Sequence, residues 1–247
     1  MKLKEVFDQL TYGELSQLSI GGQAQGEITE ENYARVVAHV NLGLSAIYKR
    51  FHLLEGAVRI QLIPGLVRYR LSTDFLITNT KSKMPVRYLV EEGGEFTDTV
   101  LKVKAVLSET GVPLLLNQYG DSMSVTTPEL TTLVIPDAIV EKADYLPPCY
   151  QTETLLVKYQ ADHPRITIPL GYFDPSRVEM HLPYSHLEPL LYFVAARMHT
   201  PVGMEQEGAA GNNWFMKYEA ACQRLEQENI QVDQGGSTDR FTRGGWV

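Results

Sequence analysis

The residues best suited by type and order to do chemistry are Gly120-Asp121-Ser122, reached from the apolar run Leu114-Leu115-Leu116 through Asn117-Gln118-Tyr119. A serine at a sharp turn after a buried strand holds its hydroxyl clear of the backbone, which a nucleophile needs. It also needs a base within hydrogen-bond reach and donors for the developing oxyanion. Here Thr127-Pro128 interrupts any helix after the turn, because proline lacks the amide proton and crowds the preceding turn. The plainer expectation for the block is a turn between two strands. His163, His181, His186 and His199 are scattered, and Glu179-Met180-His181 brings no further ligands at helical spacing. Zinc or iron needs three or four convergent ligands, so no metal site is expected. The glycine pairs at 21–22, 93–94, 235–236 and 244–245 form neither Gly-x-Gly-x-x-Gly nor a Walker sequence, so no phosphate cradle and no cofactor are expected. Arg68, Arg70, Lys81, Lys83 and Arg87 concentrate positive charge, read first as a solvated strand face, with phosphate contact as the sharper alternative. Cys149 and Cys222 fall in no ligand spacing and read as reduced thiols.

The run from Leu114 to Met123 resembles the nucleophile block of the GDSL hydrolases. Those enzymes carry the serine near the amino terminus at a strand-to-helix turn and an Asp-x-x-His pair near the carboxy terminus. In this chain Ser122 lies mid-sequence, Thr127-Pro128 follows it, and Asp-x-x-His occurs nowhere. The expectation is therefore no enzyme and no catalytic residue, with a hydrolase using Ser122 kept as the alternative.

The elements that would position any site are clearest between Leu182 and Ile230. Ser185-His186-Leu187-Glu188 has the form of a capping box, with hydroxyl and glutamate satisfying the free amides of a helix start. Leu187, Leu190, Leu191, Val194, Ala195 and Met198 recur at the spacing of one helical face, and Thr200-Pro201-Val202-Gly203 ends that helix. A second helix is firm from Asn213, with Phe215, Tyr218, Cys222 and Leu225 as its apolar stripe. Gly208 and Gly211 weaken its beginning, each costing about 1 kcal/mol relative to alanine.

Residues 3–10 read as a short amphipathic helix. Thr29 reads as the N-cap of a long helix whose apolar face is Tyr33, Val36, Val37, Val40, Leu44, Ile47, Tyr48 and Phe51. After Glu55-Gly56 the period changes from 3.6 to 2. Val58, Ile60 and Leu62, a Pro64-Gly65 turn and Leu66–Leu71 predict a hairpin. Further strands are predicted at Val86–Val90, Thr99–Leu107, Val112–Leu116, Leu130–Ile135, Leu155–Gln160 and Ile166–Ile168. Most of the 13 prolines lie between Pro64 and Pro189, which favours short antiparallel strands over a parallel sheet with crossover helices. The fold class expected is α+β: a helical bundle of amino- and carboxy-terminal helices with an inserted antiparallel β domain and an extended carboxy-terminal arm. The divisions are 1–54, 55–181, 182–230 and 231–247.

A chain of 247 residues, 44% hydrophobic and 21% charged, can build a substantial core. Its net charge of -8 argues against a protein that grips nucleic acid through the phosphates, though it could sit beside DNA without holding it. The polar start and the lack of an apolar run of ~20 residues predict a soluble product of a cytoplasm with no membrane span. Gln231–Val247 is too polar and glycine-rich to fold alone, yet holds Phe241 and Trp246, large groups of the sort that anchor interfaces.

Three stretches together resemble the tailed-phage head-to-tail adaptor proteins, the family that includes the tail tubular protein A proteins of short-tailed phages. They are Leu10-Thr11-Tyr12-Gly13-Glu14-Leu15, then Val40-Asn41-Leu42-Gly43-Leu44-Ser45-Ala46-Ile47, and the closing pair. The pair carries Leu182-Pro183-Tyr184, Val194-Ala195-Ala196-Arg197-Met198 and Trp214–Cys222. The resemblance covers both ends of the chain and is weak across Val67–Pro169. It implies a twelve-membered ring beneath the portal that seals the filled capsid, bridges to a tail or nozzle protein, and lets genomic DNA pass without specific binding. Such a protein resides in the virion neck and is made in a host bacterial cytoplasm. A neck or tail-completion protein lower in the stack is the alternative. The portal-binding arm would use Arg240, Phe241, Arg243, Trp246 and Val247, disordered in the free subunit. Tyr33, Tyr48, Trp214, Phe215 and Tyr218 are the candidates for ring or bundle interfaces. With like charges brought together on closure, the ring is expected to need a template.

Overall fold

In the computed structural model, which describes residues 1–18, 26–118, 120–143, 151–169, 171–199 and 205–228, the chain is α+β with antiparallel sheets. The helices and strands run α1 (Leu3–Tyr12), α2 (Tyr33–Arg50), β1 (Glu55–Gln61), β2 (Arg68–Arg70), β3 (Leu89–Glu91), β4 (Val100–Ser108), β5 (Thr126–Glu129), β6 (Thr132–Val134), α3 (Asp137–Val140), β7 (Thr154–Ala161), α4 (Leu187–Met198) and α5 (Glu205–Gln227). Two units divide them. One joins Met1–Leu53 with the described chain from Arg165 onward, and the other is Leu54–Pro164.

The first unit is helical because its apolar residues keep helical spacing. Val36, Val37, Val40, Leu44, Ile47 and Tyr48 are all buried on one face of α2, and Leu3, Val6, Phe7 and Leu10 on one face of α1. Helix α4 packs against α1, α2 and α5, and is apolar on more than one side for that reason. Gly43 lets α2 approach it closely: a Cβ there would lie 2.7 Å from Leu190 Cδ1 and 3.0 Å from Phe193 Cδ1. The amino terminus is stitched to the segment around Val178–Met180. The Leu3 amide donates to the Val178 carbonyl at 3.0 Å, and the Met180 amide to the Met1 carbonyl at 2.9 Å.

Two helix starts differ from the sequence expectation. Thr29 does not cap α2. Its carbonyl accepts the Asn32 and Tyr33 amides while Asn32 Oδ1 accepts the Thr29 amide at 2.9 Å, so a preceding turn moves the N-cap to Asn32. The capping box at Ser185 and Glu188 does not form either. A 3-10 turn at Tyr184–His186 runs directly into α4, leaving His186 at the N-cap position. Ser185 Oγ instead lies 3.0 Å from His186 Nδ1, and Glu188 Oε1 accepts from the Tyr192 hydroxyl at 2.8 Å. Helix α5 runs from Glu205 through Gly208 and Gly211, although the sequence left its beginning open.

The second unit holds a four-stranded sheet ordered β3-β1-β7-β4 and a three-stranded sheet ordered β2-β6-β5, with every pairing antiparallel. A single core of Val58, Ile60, Tyr69, Leu71, Leu89, Val106, Val125, Leu133, Leu155 and Val157 lies within it. The expected β1–β2 hairpin is not made. Both edges of β1 are taken by β3 and β7, so Arg68–Arg70 pairs with β6 instead. Val112–Leu116 forms only isolated bridges, Leu107 to Pro113 and Leu116 to Val125, with Pro113 unable to donate to a ladder. Thr126–Glu129 is a strand the sequence reading did not predict; it lies at a sheet edge, where Pro128 is tolerated.

The insert is also shorter than 55–181. Ile166, expected in a strand, exchanges two bonds with the Asn41 side chain of α2, both 2.9 Å, and 165–181 belongs to the helical unit. The arm, 231–247, lies outside the described residues.

Candidate functional site

Ser122 lines an open cleft of about 740 Å³ with Asn117, Asp121 and Thr127. The turn is held by local bonds. Asn117, at φ +53°, is joined to Thr127 by two bonds of 2.8 Å, one from each residue to the other, and Asp121 Oδ1 accepts the Met123 amide at 2.8 Å. These bonds fix a strand-linking turn. No histidine lines the cleft among the described residues, and there the Ser122 hydroxyl has no hydrogen-bond partner. Tyr119 lies outside the described residues.

The histidines are separated, each used by its own surroundings. His163 Nδ1 is 2.6 Å from the Pro164 carbonyl oxygen, and His199 Nε2 is 3.0 Å from that of Glu14. His186 is buried edge-on against Phe51 at 4.7 Å, its Nε2 without a partner, and burial pulls its basicity down. No group of three or more His, Cys, Asp and Glu among the described residues is placed to hold a metal ion. Cys222 is free and buried on α5, and burial pushes its thiol up, away from reactivity. Cys149 lies outside the described residues. No described helix is long and apolar enough to cross a membrane.

The interface candidates separate into core and surface. Tyr48 is buried and donates its hydroxyl to the His181 carbonyl. Tyr218 is buried edge-on against Phe193 at 5.3 Å, with its hydroxyl pushed up by burial first and then by Cys222. Both serve the bundle itself. Tyr33 is half-buried between Phe7 at 5.4 Å and Phe173 at 5.8 Å, beside a hollow of about 250 Å³ that includes Lys4, Asp8 and Asp174. Trp214 is half-buried, 5.6 Å from Tyr192 and 6.0 Å from His199, with Lys217 Nζ 3.9 Å above its ring.

Phe215 is not on the buried stripe where the sequence placed it. It is 48% exposed, and its neighbour Met216 is 72% exposed. The buried face of α5 is Tyr218, Ala221, Cys222 and Leu225, so the stripe turns Phe215 outward. Sequence reasoning also missed Tyr12, Tyr172 and Tyr184, exposed by 85%, 77% and 71%. Tyr12 had a signal, since it falls off the face that Leu3, Val6, Phe7 and Leu10 define on α1. The helical unit therefore presents large apolar and aromatic groups to solvent at several positions. In the other unit Arg68, Arg70, Lys81, Lys83 and Arg87 are all exposed. Arg240, Phe241, Arg243, Trp246 and Val247 lie outside the described residues.

No protein-family model matches the chain, and no curated protein matches it.

Proposed function

We propose that the chain is a structural head-to-tail adaptor of a tailed bacteriophage, assembled as a twelve-membered ring between portal and tail in the virion neck. The observation that carries the reading is the exposed surface of the helical unit, where Phe215 and Met216 on α5 and Tyr12, Tyr172 and Tyr184 elsewhere stand in solvent. A head-to-tail ring contact joins two different patches on each subunit and needs broad surfaces more than a pocket. Exposed aromatics and methionine are the residues such contacts use. A net charge of -8 suits a channel through which DNA passes without sticking. The partners are further copies of this chain, the portal protein and a tail or nozzle protein.

The arm, 231–247, is the proposed portal anchor, with Phe241 and Trp246 filling apolar pockets and Arg240 and Arg243 meeting carboxylates. Removing it from the full chain is expected to leave the melting temperature unchanged and to abolish attachment to DNA-filled heads. Attachment of the truncated protein at wild-type occupancy would move the portal contact to the helical unit. Failure of the intact protein to attach would sink the adaptor reading.

A further inference from the structure

Five exposed cations close together in the sequence of the second unit have no carboxylate at ion-pair distance among the described residues. Elsewhere lysines and arginines are commonly matched: Lys2 with Glu179, Lys4 with Asp8, Arg50 with Glu219 and Glu226, Arg59 with Glu92, Lys142 with Glu153, and Lys158 with Glu55. Between residues 68 and 87 the pattern reverses. Arg68, Arg70, Lys81, Lys83 and Arg87 are exposed, and none has a carboxylate at ion-pair distance among the described residues.

Bonds between side chains and the backbone hold the two segments that carry them. Arg68 and Arg70 flank the buried Tyr69 on β2, about 6.6 Å apart by strand rise. The Tyr88 hydroxyl receives the Arg70 amide at 2.7 Å and donates to its carbonyl at 3.2 Å, which ties the residue that follows the 77–87 loop to β2 through its buried side chain. The loop is pinned along its length as well. Ser82 Oγ donates to the Asp74 carbonyl at 2.6 Å, Asn79 Oδ1 accepts the Lys81 amide at 3.1 Å, and Arg87 Nη1 donates to the Asn79 carbonyl at 2.8 Å. Met84 and Val86 are exposed among these cations, and Ile77 at the start of the loop.

We infer that β2 and the 77–87 loop form a sequence-independent contact for the phosphate backbone of duplex nucleic acid. Five uncompensated cations on a pinned loop and an adjacent strand attract a polyanion by releasing its condensed counterions. Apolar side chains beside the cations, here Met84-Pro85-Val86 between Lys83 and Arg87, are the combination with which proteins also seat on a duplex groove. Asp74 is the only acidic residue between 68 and 87, while Asp98 accepts from Thr73 and Glu91 from Thr78 beside it. The overall charge of -8 confines binding to this patch and makes it weak. The inference does not depend on the adaptor reading, and it is tested on the free protein so that the two fail separately.

The experiment is fluorescence anisotropy of a labelled mixed-sequence duplex with the full chain at several salt concentrations. The wild type is expected to bind at low salt, with log K falling against log salt at a slope of about -4.5 if all five cations meet phosphates. The variant R68Q/R70Q/K81Q/K83Q is expected to lose most of that slope, retaining about -0.9. The control K102Q/K104Q, on β4, keeps the wild-type slope. Unchanged circular dichroism and melting temperature establish that both variants are folded. No binding at low salt, a slope unaltered in the fourfold variant, or an equal loss in the control overturns the inference. So does binding to phosphatidylserine vesicles without binding to the duplex.

Discussion

The guanidinium of Arg50 grips both carboxylate oxygens of Glu226, Nε lying 2.6 Å from Oε1 and Nη2 3.2 Å from Oε2, while Nη1 lies 2.7 Å from Glu219 Oε2. One side chain at the end of α2 thus fixes two positions about two turns apart on α5, across a sequence separation of 176 residues to Glu226. A fork of this kind is worth more than a single exposed ion pair because its geometry is fixed in two directions. It ties the amino-terminal half of the bundle to the carboxy-terminal half.

Arg50→Ala is expected to destabilise the helical unit by about 1–2 kcal/mol, the carboxylates being open enough to solvent to reduce the full value of a charged pair. Glu226 is held below the ordinary carboxylate range, first by its bond to Arg50. Its contribution is therefore present above the unfolded value near 4.5 and is lost as pH falls through the lower folded value. Urea unfolding at pH 7 measures the first effect; a loss under about 0.3 kcal/mol would show the pair to be ornamental.

His186 gives the bundle a second and earlier acid sensitivity. Burial lowers its folded pKa below the unfolded value near 6.5. Between those two values the unfolded chain binds a proton the folded one refuses, so stability falls as pH drops below about 6.5. His39, lowered first by burial and then by Arg197 and Arg35, acts in the same sense. Urea midpoints at pH 7.5 and 5.5 are expected to separate by less in His186→Gln than in the wild type. An unchanged separation would mean that His186 does not titrate in this window.

Gly56 on β1 is opposite Tyr159 on β7, and a Cβ there would clash with the hydroxyl edge of the tyrosine ring. Gly56→Ala is expected to cost about 1–3 kcal/mol, since the ring is buried and packed edge-on against Phe96 at 5.8 Å. Thermal unfolding reads this directly, and a neutral result would mean the ring moves aside freely.

Phe215→Ser with Met216→Ser removes two exposed groups from α5. Stability is expected to stay within about 0.5 kcal/mol of the wild type, as for other surface changes. Ring assembly on portal-bearing particles is expected to fail. Assembly at wild-type occupancy would take α5 out of the subunit contact.

Sequence periodicity revealed the helices because three-and-four spacing reports burial directly: the faces of α1, α2 and α4 are the buried faces. Local signals were weaker guides. Ser185 and Glu188 had the right spacing for a capping box, but a preceding 3-10 turn moved the helix start past Ser185 to Leu187. The hairpin around Pro64-Gly65 read well locally and failed because β1 already had two nonlocal partners, which no window of sequence reveals. Phe215 was assigned to the stripe by type, whereas its position in α5 turns it to solvent. The cationic concentration was visible in sequence; that its members lack carboxylate partners emerges only once the surrounding side chains are placed.

The adaptor reading stands or falls on what the full chain does with its portal. The direct measurement is the stoichiometry and position of the protein in electron-microscopic images of purified portal rings incubated with it, beside mass photometry of the protein alone. The account predicts mostly monomers alone at low concentration and a single twelve-membered ring seated against the portal once portal is present. Stable dimers under every condition, or portal rings that remain bare at saturating protein, would contradict it.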